Sequence, residues 1–314
     1  MREVRLLVFV LILALLAGCG AASQAEINDD AVPAASMTPS GGSFVPYRAP
    51  AFLDAQFHEA LAQGEEGARI DVSAVADGYV GVSAVSDSRL KFQVVVEGAT
   101  TYNYNIASDG TPSVFPLQSG NGTYRFRIME NVSENKYAER FSVTCEVTLR
   151  DEFQPYLRPS DYVSYSPDSQ CVRKAAEFAG QSADAMGVVA KIYEYICASV
   201  TYDTPKAQSV QSGYLPDPDE TLRTGKGICF DYASLAAAML RSQGIPAKVV
   251  FGYVSPDDLY HAWNMFYTAE TGWVTVSYEV SARSWNRLDL TFTANGADDN
   301  FVGNGENYAD LYFY

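Results

Sequence analysis

A cysteine in the second half of the chain stands where a thiol can act as a nucleophile. Cys229 follows a Gly-Lys-Gly-Ile segment and opens an Ala-, Leu- and Met-rich run that stops at Gly244. Gly244, with a proline two residues later, is typical of a helix end, so Cys229 is predicted at a helix N-terminus. There the helix dipole, together with the cation of Lys226, favours a thiolate. The alternative is a structural cysteine.

The backbone around Cys229 is suited to binding a carbonyl group. The glycines at positions 225 and 227 are interpreted as leaving room for a substrate carbonyl, and the Cys229 N–H as a donor to the oxyanion that forms on it. This chemistry needs a base that is close in space but distant in sequence. His261, at the start of a strand-like segment, is one of only two histidines in the chain. We therefore predict that the fold brings His261 to Cys229.

These residues resemble the transglutaminase-like superfamily. In that family Gly-x-Cys-x-Asp-Tyr-Ala opens a helix and His-Ala-Trp opens a strand, and both motifs are present here, at Gly227–Ala233 and His261–Trp263. The resemblance extends over residues 175–292. It implies an α+β, papain-like core in which a Cys-bearing helix packs on an antiparallel sheet. It also implies a triad of Cys, His and Asp.

The acidic member of the triad has two candidate positions. The family spacing Trp-x-x-x-Asp ends at Ser277 when it is counted from Trp273, but it ends at Asp289 when it is counted from Trp285. The Leu-Thr-Phe that follows Asp289 is similar to the family's Asp-Pro-Thr-Phe ending. The resemblance therefore implies Asp289 as the third catalytic residue, with an extra strand between it and the histidine.

The second oxyanion donor departs from the family pattern. Papain-like proteases have a Gln six residues before the Cys, where this chain has Arg223. Transglutaminases use an upstream Trp, and all three Trp here follow the cysteine. Tyr202 and Tyr214 are the predicted substitutes.

Two helices are predicted before the cysteine loop, at residues 170–179 and 184–199. If they pack antiparallel, the start of the first lies beside the end of the second. Cys171 and Cys197 occupy these two places. Either these two cysteines form a disulfide or they are two separate core thiols. Both alternatives remain, since sequence does not settle connectivity.

Residues 51–152 are predicted to form an all-β domain of immunoglobulin type, ahead of a transglutaminase-like domain at 153–314. Apolar and polar residues alternate in Leu90–Val96, Tyr124–Ile128 and Phe141–Leu149, with turn residues between these runs. No catalytic constellation is present in this part, which is interpreted as a spacer or binding module.

The first fifty residues predict export and anchoring. Residues 1–18 have a basic start and a thirteen-residue apolar stretch, which suits a signal peptide and is too short for a spanning helix of about 20 residues. The segment Leu16–Cys19 resembles the bacterial lipobox, which implies that Cys19 is lipidated. Residues 19–50 have the composition of a flexible tether. An ordinary signal peptide with an incidental cysteine is the alternative.

Charge and composition exclude some functions. The 314 residues include 22 Lys and Arg against 38 Asp and Glu, which gives a net charge of −16. Nucleic-acid-binding proteins have a basic surface, so this charge argues against that class. The Cys229 and His261 segments lack the paired ligand spacing of a zinc site, so no metal and no cofactor are predicted.

The sequence thus predicts an exported, membrane-anchored thiol enzyme on the extracytoplasmic face. It would act on amide or peptide bonds through a Cys thioester, in a protein or peptide substrate for which cell-wall peptides are one option. Hydrolysis is favoured over cross-linking because no site for an amine acceptor is evident. The alternative is a non-catalytic surface binding protein that retains the fold, which Ser277 and the missing Gln or Trp would suit.

Overall fold

Alternating apolar and polar residues build two antiparallel sheets in the first half of the chain. The computed structural model describes residues 44–254, 259–268, 273–274, 280–281, 286–288 and 308–314. The strands here are β1 (Gln63–Glu65), β2 (Ala68–Asp71), β3 (Tyr79–Ala84), β4 (Leu90–Val96), β5 (Tyr102–Ile106), β6 (Ser113–Pro116), β7 (Gly122–Ser133) and β8 (Lys136–Val147). One four-stranded sheet has the order β1-β2-β3-β6 and the other β5-β4-β7-β8. Leu90, Phe92 and Val94 of β4 are buried, as the alternation predicts.

Helices, a four-stranded main sheet and two pairs of short strands make up the described part of the second half. The helices are α1 (Gln170–Gly180), α2 (Ala185–Ser199), α3 (Thr204–Ser209), α4 (Pro218–Thr224) and α5 (Cys229–Ser242). The strands are β9 (Thr201–Tyr202), β10 (Lys226–Gly227), β11 (Ala247–Val254), β12 (Leu259–Phe266), β13 (Trp273–Val274), β14 (Val280–Ser281), β15 (Asn286–Leu288) and β16 (Tyr308–Phe313). The main sheet has the order β15-β12-β11-β16, all antiparallel. None of the helices described is both long and apolar enough to cross a membrane.

Helix α5 is the central element of the second half. Every residue from Phe230 to Ser242 is buried, as expected for a helix that is covered on all sides. It packs on β11 and β12 and is covered by α1, α2 and α4. The two helices predicted before the cysteine loop are confirmed as α1 and α2, and the Asp184 side chain caps α2 by accepting the Gly187 N–H at 2.8 Å. The chain is thus a mixed α/β protein with a Cys-bearing helix on an antiparallel sheet.

The hydrophobic core is continuous from the first half into the second. Tyr104 of β5 contacts the rings of Tyr162 and Tyr314, with centroids 5.6 and 5.8 Å away, and the latter two rings stack at 4.3 Å. Residues 44–314 form one compact unit by backbone contacts. The division near residue 152 therefore stays a prediction.

The structure does not contain the disulfide that was one of two options for Cys171 and Cys197. Within the described residues no disulfide is formed, and each of these side chains carries a thiol. Cys171 is fully buried against Asp219, whose carboxylate accepts the Cys171 N–H at 2.8 Å, and burial raises the pKa of its thiol. Cys197 lies beside Tyr232 instead. The two thiols are separate core residues because their side chains meet different neighbours.

Arg241 fastens the end of α5 to three other segments. Its guanidinium is 2% exposed and donates to the backbone carbonyls of Ala247, Arg158 and Tyr314 at 2.9, 2.8 and 2.9 Å. Burial lowers the pKa of Arg241 to about 10. The Tyr314 carbonyl also accepts the Val249 N–H at 2.7 Å, so at that oxygen Arg241 adds a second donor to a backbone hydrogen bond.

Replacing Arg241 with Met is expected to lower the free energy of unfolding by about 3 kcal/mol or more, since three buried carbonyls each lose a charged hydrogen-bond donor. The measurement is urea denaturation followed by circular dichroism. Arg223→Met is the matched control, because Arg223 lies exposed on α4 and, among the described residues, its ion-pair partner is Glu220 alone. Equal stability of the two variants would contradict the role assigned to Arg241.

Candidate active site

The glycine-rich loop before Cys229 is shaped by close neighbours. Gly225 has φ +62°, and a Cβ there would lie 2.8 Å from the carbonyl oxygen of Ser199. A Cβ on Gly227 would lie 2.6 Å from the Cβ of Asp231. The interpretation that these glycines leave room for a substrate is therefore wrong, because other protein atoms take up that space. The glycines allow the loop to close tightly onto the start of α5.

Cys229 is the first residue of α5, as predicted, and is partly exposed. The preceding Ile228 is extended, and its N–H donates to the Asp231 carboxylate at 2.7 Å. The N–H groups in the first turn of a helix have no intrahelical acceptor. The Cys229 N–H has no acceptor among the residues that the structure describes, so it can donate to an oxyanion beside the thiol.

Asp231 organises a polar cluster under the helix start. Its side chain is fully buried and accepts three hydrogen bonds: from the Ile228 N–H, from Lys206 Nζ at 2.7 Å and from the Tyr214 hydroxyl at 2.5 Å. Lys206 Nζ also donates to the Tyr214 oxygen at 2.7 Å. Burial, reinforced by the Asp231 hydrogen bond, raises the pKa of Tyr214 to about 12. The cluster fixes the segment 204–214 against the base of α5.

Sequence reasoning missed this cluster. Asp231 was recognised only as part of a motif, and Lys226 was expected to supply the nearby cation. In the structure Lys226 is exposed, and Lys206 is the lysine that is ion-paired at the helix start. An acidic residue three positions after a predicted N-cap is the signal that points to such a role.

Asp231→Asn is expected to lower the free energy of unfolding by about 2 kcal/mol, because a neutral amide cannot replace a carboxylate that accepts from a backbone N–H, an ammonium and a phenol. Chemical denaturation measures the change. Asp184→Asn is the matched control, since Asn caps a helix about as well as Asp and Asp184 only caps α2. Equal unfolding free energies in the two variants would show that the cluster is not structural.

His261 is presented from the middle of the sheet. It lies on β12, directly opposite Gly252 of β11, and is 4% exposed. A side chain on Gly252 would collide with the Trp263 ring and with the Ala309 carbonyl, at 2.7 and 2.0 Å. β12 is fixed to α5 because the Asn264 amide donates to the carbonyl of Ala233 at 2.9 Å. The strand that carries His261 and the helix that begins at Cys229 are thus joined by a hydrogen bond.

Cys229 and His261 line the same cavity, whose volume is about 640 Å³. Tyr202 and Tyr214 line it as well. The structure therefore brings together the predicted nucleophile, the predicted base and both predicted oxyanion donors.

The two tyrosines differ in their hydroxyl groups. Tyr214 has one hydroxyl proton and donates it to Asp231. Tyr202 pairs with Gly227 across the parallel strands β9 and β10, and no described residue accepts a hydrogen bond from its hydroxyl. Desolvation, with the nearby Cys229 thiol, raises the pKa of Tyr202. Tyr202 is thus the better candidate for the second oxyanion donor.

Three of the predicted site residues lie outside the described residues: Asp289, its rival Ser277, and Cys19. The strand that precedes Asp289 is described. It is β15, which pairs with β12 so that Leu288 lies opposite Asn264. Between β12 and β15 in the sequence, β13 and β14 pair with each other, so two short strands lie where one extra strand was expected.

Residues 173–278 match the family model described as the transglutaminase-like superfamily. The match includes Cys229, His261 and Ser277 and ends before Asp289. Over 77 residues the chain is 29% identical to the UPF0252 protein MJ1282 of Methanocaldococcus jannaschii. The aligned stretch covers 23% of this chain and 22% of that protein. The chain thus spans about a fifth of the length of this curated relative.

Three solved structures are similar at low identity. A candidate cysteine protease of Cytophaga hutchinsonii is 17% identical, with a TM-score of 0.41 over 74% of this chain and 73% of that one. LapG of Legionella pneumophila is 14% identical, with a TM-score of 0.32 over 46% and 80% of the two chains. The transglutaminase of red sea bream is 11% identical, with a TM-score of 0.28 over 68% and 48%.

Proposed function

We propose that this transglutaminase-like core is the catalytic unit of a thiol hydrolase that cleaves amide or peptide bonds. One observation carries the proposal: a partly exposed cysteine at the N-terminus of a buried helix and a buried histidine on the adjacent strand line one cavity. A thiol, a base and an oxyanion donor within one cavity are the requirements for acyl transfer through a covalent intermediate.

In the proposed reaction, His261 accepts the Cys229 proton and the thiolate attacks the carbonyl carbon. The C–N bond then breaks, the leaving amine takes the proton from the imidazolium, and the acyl group remains on sulfur as a thioester. A water molecule, deprotonated by His261, attacks the thioester. The C–S bond breaks, the acid is released, and the thiol regains its proton.

The oxyanion of each tetrahedral intermediate would be bound by two donors. The first is the Cys229 N–H, at the positive end of the α5 dipole. We propose the Tyr202 hydroxyl as the second, because it lines the cavity beside the loop that leads to Cys229. Tyr214 would instead keep the cavity wall in place through Asp231.

We propose Asp289 as the residue that orients His261. The strand directly before it pairs with the histidine's strand, which supports this assignment over Ser277. A hydroxyl at 277 would also lack the charge that stabilises an imidazolium.

We further propose that the enzyme is exported and lipid-anchored through Cys19, with residues 19–50 as a tether. Residues 51–152 would then be an immunoglobulin-like spacer or binding module. The lipobox-like Leu16–Cys19 and the alternating strand patterns support these assignments.

Hydrolysis is proposed over cross-linking because water needs no binding site of its own, whereas an amine acceptor does. We expect a protein that comprises residues 44–314 to catalyse the release of 4-nitrophenol from 4-nitrophenyl acetate. Adding cadaverine at about 10 mM, above the usual KM range of about 1 μM to 1 mM, should leave acetate as the main product. Mass spectrometry of the products measures the partition, and predominant N-acetylcadaverine would establish transamidation instead.

A further inference from the structure

The wall of the cavity around Cys229 is mainly aromatic and aliphatic. Its large apolar side chains include Tyr162, Leu215, Phe230, Phe251, Tyr260 and Tyr314, and Asn105, Gln211 and Ser212 add polar groups. Its volume of about 640 Å³ is in the usual range of pockets that enclose organic ligands, about 300–1,000 Å³. Binding free energy in such a cavity comes mainly from a ligand group that buries apolar surface.

The aromatic rings of the cavity wall pack against one another. Phe251 contacts Phe230 edge-on at 4.8 Å and stacks with Tyr260 at 5.9 Å. Tyr314 lies edge-on to Phe251 at 5.6 Å and stacks on Tyr162 at 4.3 Å. Because these rings are already packed, a ligand ring can join them at a small cost in side-chain ordering.

Asp161 is the one acidic side chain that lines this cavity among the described residues, and no lysine or arginine lines it. Its carboxylate accepts the N–H of Val114 at 3.0 Å, and burial raises its pKa. A carboxylate that enters the cavity would therefore meet a second carboxyl group and no lysine or arginine. Such a ligand would lose its hydration without compensation.

We propose that the cavity beside Cys229 binds a large apolar side chain of the substrate, aromatic by preference, on the acyl side of the bond that is cleaved. The proposal rests on the proposed function, in which Cys229 forms the thioester. It names the substrate class: peptides with Phe, Tyr or a bulky aliphatic residue at the cleavage point, and not those with Asp or Glu there.

The test uses chloromethyl ketones of N-acetyl-Phe, N-acetyl-Ala and N-acetyl-Glu. The Cys229 thiolate displaces chloride, a C–S bond forms as the C–Cl bond breaks, and the adduct is located by mass spectrometry. Each rate is divided by the rate at which iodoacetamide labels Cys229. Iodoacetamide has no amino-acid side chain that could enter the cavity, so this ratio isolates the effect of the side chain. We expect the Phe reagent to react about 10- to 100-fold faster than the Ala reagent, and the Glu reagent to be the slowest.

A variant at the rim gives a second readout. Leu215 lines the cavity and is 43% exposed, so Leu215→Lys adds a cation there with little effect on folding. The ratio of Phe to Glu rates should fall at least about threefold, a modest value for one partly screened charge. Val132→Lys is the matched control, since Val132 lies on β7, is 63% exposed and does not line the cavity. In that variant the ratio should not change.

Failure of this proposal is distinguishable from failure of the proposed function. Equal rates for the three reagents, while iodoacetamide labelling of Cys229 still depends on His261, would overturn the apolar subsite and leave the thiol enzyme intact. Labelling of Cys229 that is indifferent to His261 with every reagent would overturn both.

Discussion

Replacing Cys229 with Ala is expected to reduce amide or ester turnover by about 10⁴-fold or more, because the covalent intermediate can no longer form. The fold should persist, since Ala has a high helix propensity and the Asp231 contacts to Ile228 and Lys206 do not involve the thiol. Steady-state rates and thermal unfolding measure the two effects.

Cys145→Ala is the matched control for this variant. Cys145 is also a partly exposed thiol, but it lies on β8 and does not line the cavity. It should keep full turnover. Substantial activity in Cys229→Ala would remove the cysteine from the mechanism and favour a binding role for the fold.

His261→Gln is expected to slow turnover by about 10²- to 10⁴-fold, because Gln cannot accept the thiol proton. Iodoacetamide labelling of Cys229 at neutral pH should slow by about 10- to 30-fold, because an ordinary thiol is only a few per cent thiolate there. Gln is close to His in size, and β12 remains fixed to α5 through Asn264, so the variant should fold. Labelling rates are followed by peptide mass spectrometry after quenching.

The second histidine of the chain supplies the control. His58 lies in the first half, where its ring is 3.0 Å from the Asp71 carboxylate and its side chain is 43% exposed. His58→Gln should not change the labelling rate of Cys229. An equal effect of the two substitutions would mean that His261 acts through general stability and not as a base.

The parts of the site that the sequence could predict are those that depend on local pattern. A helix start is readable from the loop before Cys229 and the stop at Gly244, and α5 begins at Cys229. Alternation predicts the strand that carries His261, and β12 confirms it. The family spacing then relates these two elements, and the structure places both side chains in one cavity.

The parts that the sequence could not predict depend on contacts between distant segments. Lys206, on the short helix α3, and Tyr214, in the loop after it, reach Asp231 from 25 and 17 residues away, and no periodic pattern relates them to it. The thiols of Cys171 and Cys197 sit on adjacent helices without pairing, because connectivity follows from side-chain direction and not from spacing. The loop glycines were misread for the same reason: the atoms that crowd them belong to Ser199 and Asp231.

The aromatic lining illustrates the same limit. Tyr162, Phe251 and Tyr314 lie in three separate segments of the chain, yet their rings pack together beside the cysteine. Each of them alone reads as an ordinary core residue. Only their meeting at the cavity gives the substrate preference that we propose.

The central claim is that Cys229 forms an acyl intermediate with the help of His261, and the most direct measurement is to trap that intermediate. The protein is mixed with 4-nitrophenyl acetate, a donor too small to depend on the apolar subsite, quenched in acid after milliseconds and digested. The account predicts an acetyl group on Cys229 that appears before steady state and is lost from the His261→Gln variant. Acetylation that is absent from Cys229, or equal in both proteins, would contradict it.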